Sequence, residues 1–186
     1  MPQETLEYSS LVSNAWASTI EKVEDDDNVY AIADTVGQMA SIELGDMTSN
    51  DIGTINHITF YVKAFNTPAK RITRLVIYFQ DSSGTTLNEA DITIDGNIEN
   101  TYNTGNVTGT SGGSAWTESS INDLRILFRY YADVNGGGTT EMNIDYAYLV
   151  VDYDVPVVPT PTYNSNRNQL HIANGRIDLT SGRLSI

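Results

Sequence analysis

Through most of this chain apolar residues recur at every second position, and the three-and-four spacing of an amphipathic helix is almost absent. Asn28 to Val36 alternates Val29, Ala31 and Ala33 with Tyr30 and Ile32, and Gly37-Gln38 then turns the chain into Met39 to Leu44, which predicts a hairpin. Ile55 to Phe65 reads as a long strand with Ile58, Phe60 and Val62 on one face and Thr59, Tyr61 and Lys63 on the other. It ends at Asn66-Thr67-Pro68, because proline lacks the ladder donor. Ile72 to Phe79 is a further strand, closed by the turn chemistry of Asp81-Ser82-Ser83-Gly84. Ile92-Thr93-Ile94 is a short one stopped at Asp95-Gly96. Residues 100 to 115 read as a loop of Asn, Thr, Gly and Ser, followed by capping residues at Trp116 to Ser120 for one turn of helix. Leu124 to Tyr131 resumes a strand, and Asn135-Gly136-Gly137-Gly138 breaks it. Met142 to Tyr153 is apolar on both faces, with Ile144, Tyr146, Tyr148 and Val150 on one and Ala147, Leu149 and Val151 on the other, which places it centrally in a sheet.

Eight or nine strands at such spacing, without helical crossovers, predict an all-β antiparallel β-sandwich or jelly roll over residues 1–154. Val155-Pro156-Val157-Val158-Pro159-Thr160-Pro161 cannot form a central strand, and residues 155–166 read as an extended, proline-rich linker. Beyond it, residues 167–186 predict an extended arm of three short strand-turn repeats. Leu170-His171-Ile172, Ile177-Asp178-Leu179 and Leu184-Ser185-Ile186 repeat every seven residues, with Asn174-Gly175-Arg176 and Ser181-Gly182-Arg183 between them. The spacing is not that of a coiled coil, because each unit alternates with period two and each connector holds a glycine that costs a helix about 1 kcal/mol. Units this short cannot bury their own apolar faces and call for stacking neighbours. Leu170, Ile172, Arg176, Ile177, Leu179, Arg183, Leu184 and Ile186 are therefore the candidate assembly or partner-binding residues.

Charge adds a division of labour. The 186 residues carry a net −14; three arginines against Asp178 alone leave residues 155–186 at +2, so the first 154 carry −16. Such a body repels phosphate, which argues against nucleic acid as a partner, and no apolar run is long enough for a membrane-spanning helix. The N-terminal residues lack the basic and apolar regions of an export signal, so the expectation is a soluble protein made without one. With no cysteine there is neither disulfide, thiolate metal site nor cysteine nucleophile.

Candidate chemistry is sparse. His57 and His171 both sit in strand-like alternation, and no nucleophile-elbow spacing accompanies them. Glu24-Asp25-Asp26-Asp27-Asn28 and Asp133-Val134-Asn135 offer oxygens suited to Ca²⁺ but match no EF-hand loop, so Asp25 to Asp27 read first as a solvated turn. Gly136-Gly137-Gly138 lacks the Lys and Ser/Thr of a phosphate loop, and no local motif selects a carboxylate pair for glycoside hydrolysis. Asn106-Val107-Thr108 fits a glycosylation acceptor that has no use without export. No enzyme, cofactor or metal is expected. The eleven tyrosines, among them Tyr130, Tyr131, Tyr146, Tyr148 and Tyr153, leave three readings open: sheet packing, a subunit interface, or a carbohydrate surface.

An early Trp16, the acidic start Asp25-Asp26-Asp27-Asn28-Val29-Tyr30, Trp116-Thr117 before Ile121-Asn122-Asp123-Leu124, and the closing Ile144-Asp145-Tyr146-Ala147-Tyr148-Leu149-Val150-Val151-Asp152-Tyr153 together resemble the jelly-roll structural proteins of tailed bacteriophage particles. The resemblance covers about residues 10 to 154. It implies a non-enzymatic virion protein of the head decoration or cement type, made in the host cytoplasm and placed as a trimer on the outer surface of the capsid. Its partners would be other copies and the major capsid protein or another virion protein. The alternative is a tail or fibre module that binds a carbohydrate receptor through its aromatics. The same sandwich serves both places, so the fold does not choose between them.

Overall fold

The computed structural model describes residues 2–49, 51–67, 72–132, 140–157, 162–164 and 169–171. Two compact units divide the chain, Met1–Val155 and Pro156–Ile186.

Ten strands of the first unit are β1 (Gln3–Leu6), β2 (Tyr8–Asn14), β3 (Ala31–Ala33), β4 (Met39–Leu44), β5 (Ile55–Thr67), β6 (Ile72–Gln80), β7 (Thr86–Asp95), β8 (Asn100–Asn103), β9 (Arg125–Ala132) and β10 (Glu141–Tyr153). Its described residues also include a 3-10 turn, Ile20–Val23, and one helical turn, α1 (Glu118–Asn122). The pairing is nested and antiparallel throughout: β6 with β7, β5 with β8, β4 with β9, and β3 with β10. This is one long hairpin rolled on itself, the jelly-roll arrangement. Contacts of β10 with β5 and of β9 with β6 close the roll into two sheets, β1-β10-β5-β8 with β3 also on β10, and β2-β4-β9-β6-β7. The all-β sandwich expected from the alternation is therefore present.

Alternation puts the core between the sheets. Ile58, Phe60, Val62 and Ala64 of β5 and Ala147, Leu149 and Val151 of β10 meet Ala40 and Ile42 of β4, Leu75, Ile77 and Phe79 of β6, and Ile126, Phe128 and Tyr130 of β9. Phe128 sits at the centre, edge-on to Trp16 at 5.9 Å and to Phe60 at 5.7 Å. Burial of each large side chain of this kind contributes about 1.5–3 kcal/mol. Two polar anchors tie the aromatics in place. Trp116 Nε1 donates to the Val107 carbonyl at 2.9 Å, and the Tyr130 hydroxyl donates to the Thr140 carbonyl at 2.7 Å.

Several details differ from the sequence reading. Residues 28–36 and 39–44 do not form a hairpin, since β3 joins the first sheet and β4 the second. The chain crosses between sheets at a corner where Gln38 Oε1 accepts the Asp34 and Thr35 amides, Gly37 takes φ +86°, and Gly37 N–H donates to the Tyr130 carbonyl. A local turn motif cannot tell such a corner from a hairpin. The expected loop at 100–115 contains β8, and β7 begins at Thr86 rather than Ile92, because both are edge strands with polar outward positions. Residues 3–14, rich in Ser, Glu and Thr, form the edge strands β1 and β2 for the same reason.

The face assignment along β10 also changes. Ile144 is buried on the core side, not beside Tyr146, because a register shift between Ile144 and Tyr146 inserts Asp145 as an extra residue. That β-bulge resets the alternation by one position. The central place of β10 stands, between β5 on one side and β1 and β3 on the other. The helical turn forms where the capping residues predicted it: Thr117 Oγ1 accepts the Ser120 amide, and the Ser120 hydroxyl meets the Thr117 amide in return. The glycine run 135–138 and Pro68 lie outside the described residues.

In the second unit, β11 (Thr162–Asn164) pairs antiparallel with β12 (Gln169–His171). Thr162–Asn164 falls in the stretch read from sequence as linker, so part of that stretch is in strand.

Candidate interaction face and the ion cluster beside it

The outward side of the first sheet is built by register. Tyr148 lies opposite Tyr61, which lies opposite Asn103; Tyr146 lies opposite Lys63, and Val150 opposite Thr59 on one side and Thr5 on the other. Because Ala147, Leu149 and Val151 point into the core, their neighbours Tyr146, Tyr148 and Val150 must point out, where they remain half-buried. Three tyrosines form a row. Tyr61 and Tyr148 stack with ring centres 5.0 Å apart and planes within 7°, and Tyr146 follows at 5.1 Å from Tyr148. The Tyr146 hydroxyl donates to Glu7 Oε1 at 2.5 Å, and burial together with that carboxylate pushes its titration far above the ordinary phenol range. Burial, then Tyr61, pushes Tyr148 up as well.

At one end of the row stands Lys63, whose ammonium is shared by three carboxylates: Asp26, Glu99 at 2.8 Å, and Asp145 at 3.2 Å. Asp145 is the bulged residue of β10 and is fully buried. Its Oδ1 accepts the Asn28 amide at 2.8 Å, and Asn28 holds the left-handed φ of +65°. The Asp27 carboxylate accepts the Val29 amide, so the acidic run is folded as a turn against the sheet. Asp26 is held below the usual carboxylate range by Lys63 first and by Asp145 second. Asp145 is pushed upward, first by burial and then by Asp26. The same carboxylates raise Lys63 above its normal value. Among the described residues no group of three acidic or histidine ligands is arranged to hold a metal ion. Where the sequence offered oxygens for Ca²⁺ at Asp25 to Asp27, a lysine supplies the cation for Asp26.

Elsewhere among the described residues the surface mixes polar and paired groups with exposed apolar side chains such as Ile98, Val36 and Met39. A depression of about 520 Å³ beside β7 and the loop after β8 is lined by Asn88, Thr104, Asn106, Thr108 and Ser114, with Glu89 the one ionisable side chain among its lining residues. On the outer side of the second sheet, Arg74 and Arg129 each lie 4.8 Å from the Tyr131 ring, and Arg125 pairs with Glu43 at 2.8 Å. His57 is a sheet-face residue opposite Asp152.

Of the eight candidate partner-binding residues, Leu170 is placed in β12 opposite Tyr163. Ile172, Arg176, Ile177, Leu179, Arg183, Leu184 and Ile186 lie outside the described residues. The tyrosines divide. Tyr130 is core, Tyr153 is buried with its hydroxyl 2.6 Å from Ser49 Oγ, and Tyr146 and Tyr148 belong to the outer row. Tyr61, Lys63 and Glu99 join that region without having been singled out in the sequence; the signal that brings them there is cross-strand register, which one sequence does not display. The fold and its outer face define an all-β jelly-roll sandwich carrying a half-buried aromatic row on the outer side of one sheet. Compared with known proteins, no family model matches the chain, and no curated protein matches it.

Proposed function

We propose that this chain is a non-enzymatic structural protein of a virus particle, a decoration or cement protein that assembles as a trimer and stabilises the head through contacts with the major capsid protein or neighbouring subunits. The observation that carries the reading is the tyrosine row. Stacking turns Tyr61 and Tyr148 ring against ring, which removes one face of each from any ligand. A sugar platform needs an aromatic face open to solvent, whereas a protein interface uses ring edges and hydroxyls, and amphipathic tyrosine is enriched in such interfaces. The jelly-roll topology, taken with the resemblance of the sequence over about residues 10 to 154 to tailed-phage structural proteins, supports the placement on a particle. The arm of residues 167–186, with its repeated apolar units, would then add strands to a neighbouring protein.

Imaging of purified particles with the protein labelled tests the reading. Many copies dispersed over the head are the expected result. A few copies confined to a tail or fibre tip would replace it with the receptor-binding alternative. Removal of residues 156–186 should lower occupancy on particles; undiminished occupancy would exclude a role for the arm in attachment.

A further inference from the structure

Lys63 and Asp145 stand in an arrangement that exceeds what an ion pair requires. The pairing of β5 with β10 runs Ile144 to Ala64 and then Tyr146 to Lys63, so the bulge aims the extra residue, Asp145, at the lysine of the adjacent strand. Lys63 Nζ lies 3.2 Å from Asp145 Oδ2. The other carboxyl oxygen, Oδ1, is held by the Asn28 amide at 2.8 Å. Two further carboxylates contact the amine, Asp26 and Glu99, and Glu99 Oε2 is buried without a hydrogen-bond partner. An amine, a buried carboxyl group, a backbone donor on its carbonyl oxygen and an adjoining base are the parts needed for amide formation. Neighbouring strands hold them in place, which supplies the entropy a bimolecular condensation would lack.

We propose that Lys63 and Asp145 condense into an intramolecular isopeptide bond that staples β5 to β10, with Asp26 as the base and Glu99 holding the amine. The Lys63 ammonium gives one proton to the Asp26 carboxylate, and the freed lone pair attacks Cγ of Asp145 in its protonated form. The carbonyl electron pair moves onto Oδ1, where the Asn28 N–H stabilises the developing charge. Collapse of the adduct breaks Cγ–Oδ2; that hydroxyl takes a second proton from Nζ and leaves as water. The third proton remains as the amide hydrogen. The products are one amide, one water and a protonated Asp26, with no oxidant or cofactor consumed. Burial of Asp145 favours the neutral carboxyl that the attack requires. The carboxylates around Lys63, by contrast, favour its ammonium, and Lys63 holds Asp26 ionised, so the proton transfer from Lys63 to Asp26 is the slow step.

Intact-mass spectrometry of the full-length purified chain reads the outcome directly. The expected mass is one water below that of the sequence, with Lys63 and Asp145 recovered in a branched peptide after proteolysis. Lys63→Arg should carry its full mass. Asp145→Asn should close by loss of ammonia instead of water, which separates bond formation from incidental dehydration. Asp26→Asn should stay open, or close far more slowly; closure at the wild-type rate would remove Asp26 from the role of base. A wild-type chain that keeps its full sequence mass after prolonged incubation, with Lys63 in a linear peptide, overturns the proposal and leaves an ion pair.

Discussion

At the scale of single residues, the largest fully buried side chains of the body are the aromatics Tyr130, Phe60, Phe79 and Phe128. Phe128 contacts Trp16 and Phe60 edge-on and is fully buried between the sheets. Phe128→Ala removes the common member of both pairs and opens a cavity where strands from both sheets leave little freedom to collapse. A loss of about 3–5 kcal/mol is expected, read as a lower urea midpoint. Charged residues act more weakly and with a definite pH dependence. Glu43 is held below its ordinary range by the Ser10 hydroxyl first and by Arg125 second. A depressed carboxyl contributes stability above its unfolded value and loses it as pH falls through the folded one. Glu43→Gln should therefore be less stable near neutral pH by under about 1 kcal/mol, since the site is partly exposed. The difference should vanish as pH drops from about 4.3 through the lower folded value. A gap that persisted in strong acid would mean that packing, not charge, sets the cost. These contacts were not legible in the sequence, because Ser10, Glu43 and Arg125 come from three strands.

At the scale of elements, legibility followed burial. Strands with apolar residues on an inner face, β5, β6, β9 and β10, were readable as period-two runs, and their inner residues are the core. Edge strands were not, because β1, β2, β8 and the first half of β7 place polar residues outward and are held by backbone pairing to a neighbour. The bulge at Asp145 was hidden for a different reason: alternation read along one strand assumes an even ladder, and the extra residue is visible only against β5. The tyrosine row depends on the same register, so its two halves, Tyr61 and Tyr146 with Tyr148, could not be joined from sequence alone. Local capping is the opposite case. Thr117 and Ser120 satisfy each other's amides three residues apart, and that spacing is written in the chain. Thr117→Ala should cost about 1 kcal/mol in thermal or chemical unfolding. It should leave the Trp116 environment intact, since the indole is held by Val107 rather than by α1. A change in Trp116 fluorescence larger than the stability loss would contradict that separation.

For the whole molecule, charge and the aromatic row would make opposite demands on the proposed assembly. The first 154 residues carry −16, so copies brought together at low ionic strength repel one another, and salt relieves this once the screening length falls to about 10 Å near 0.1 M. Contacts made through Tyr61, Tyr146 and Tyr148 in such an assembly would be mainly apolar and would gain little from low salt. The arm, with Arg167, Arg176 and Arg183, would behave in the reverse sense if it bound acidic surfaces through ion pairs. Rebinding of purified protein to depleted particles across a salt series separates the two contributions. If the tyrosine face dominates, occupancy should hold or rise with salt. Tyr61→Ser with Tyr148→Ser should then lower it at every ionic strength while the isolated protein still unfolds cooperatively. The stability loss should add about 0.5–1.5 kcal/mol from the lost stack to the lost burial of two half-buried rings. Occupancy that collapses at high salt in the wild type, and is unaffected by the double substitution, would assign attachment to the arginines and leave the aromatic row with a role inside the sheet.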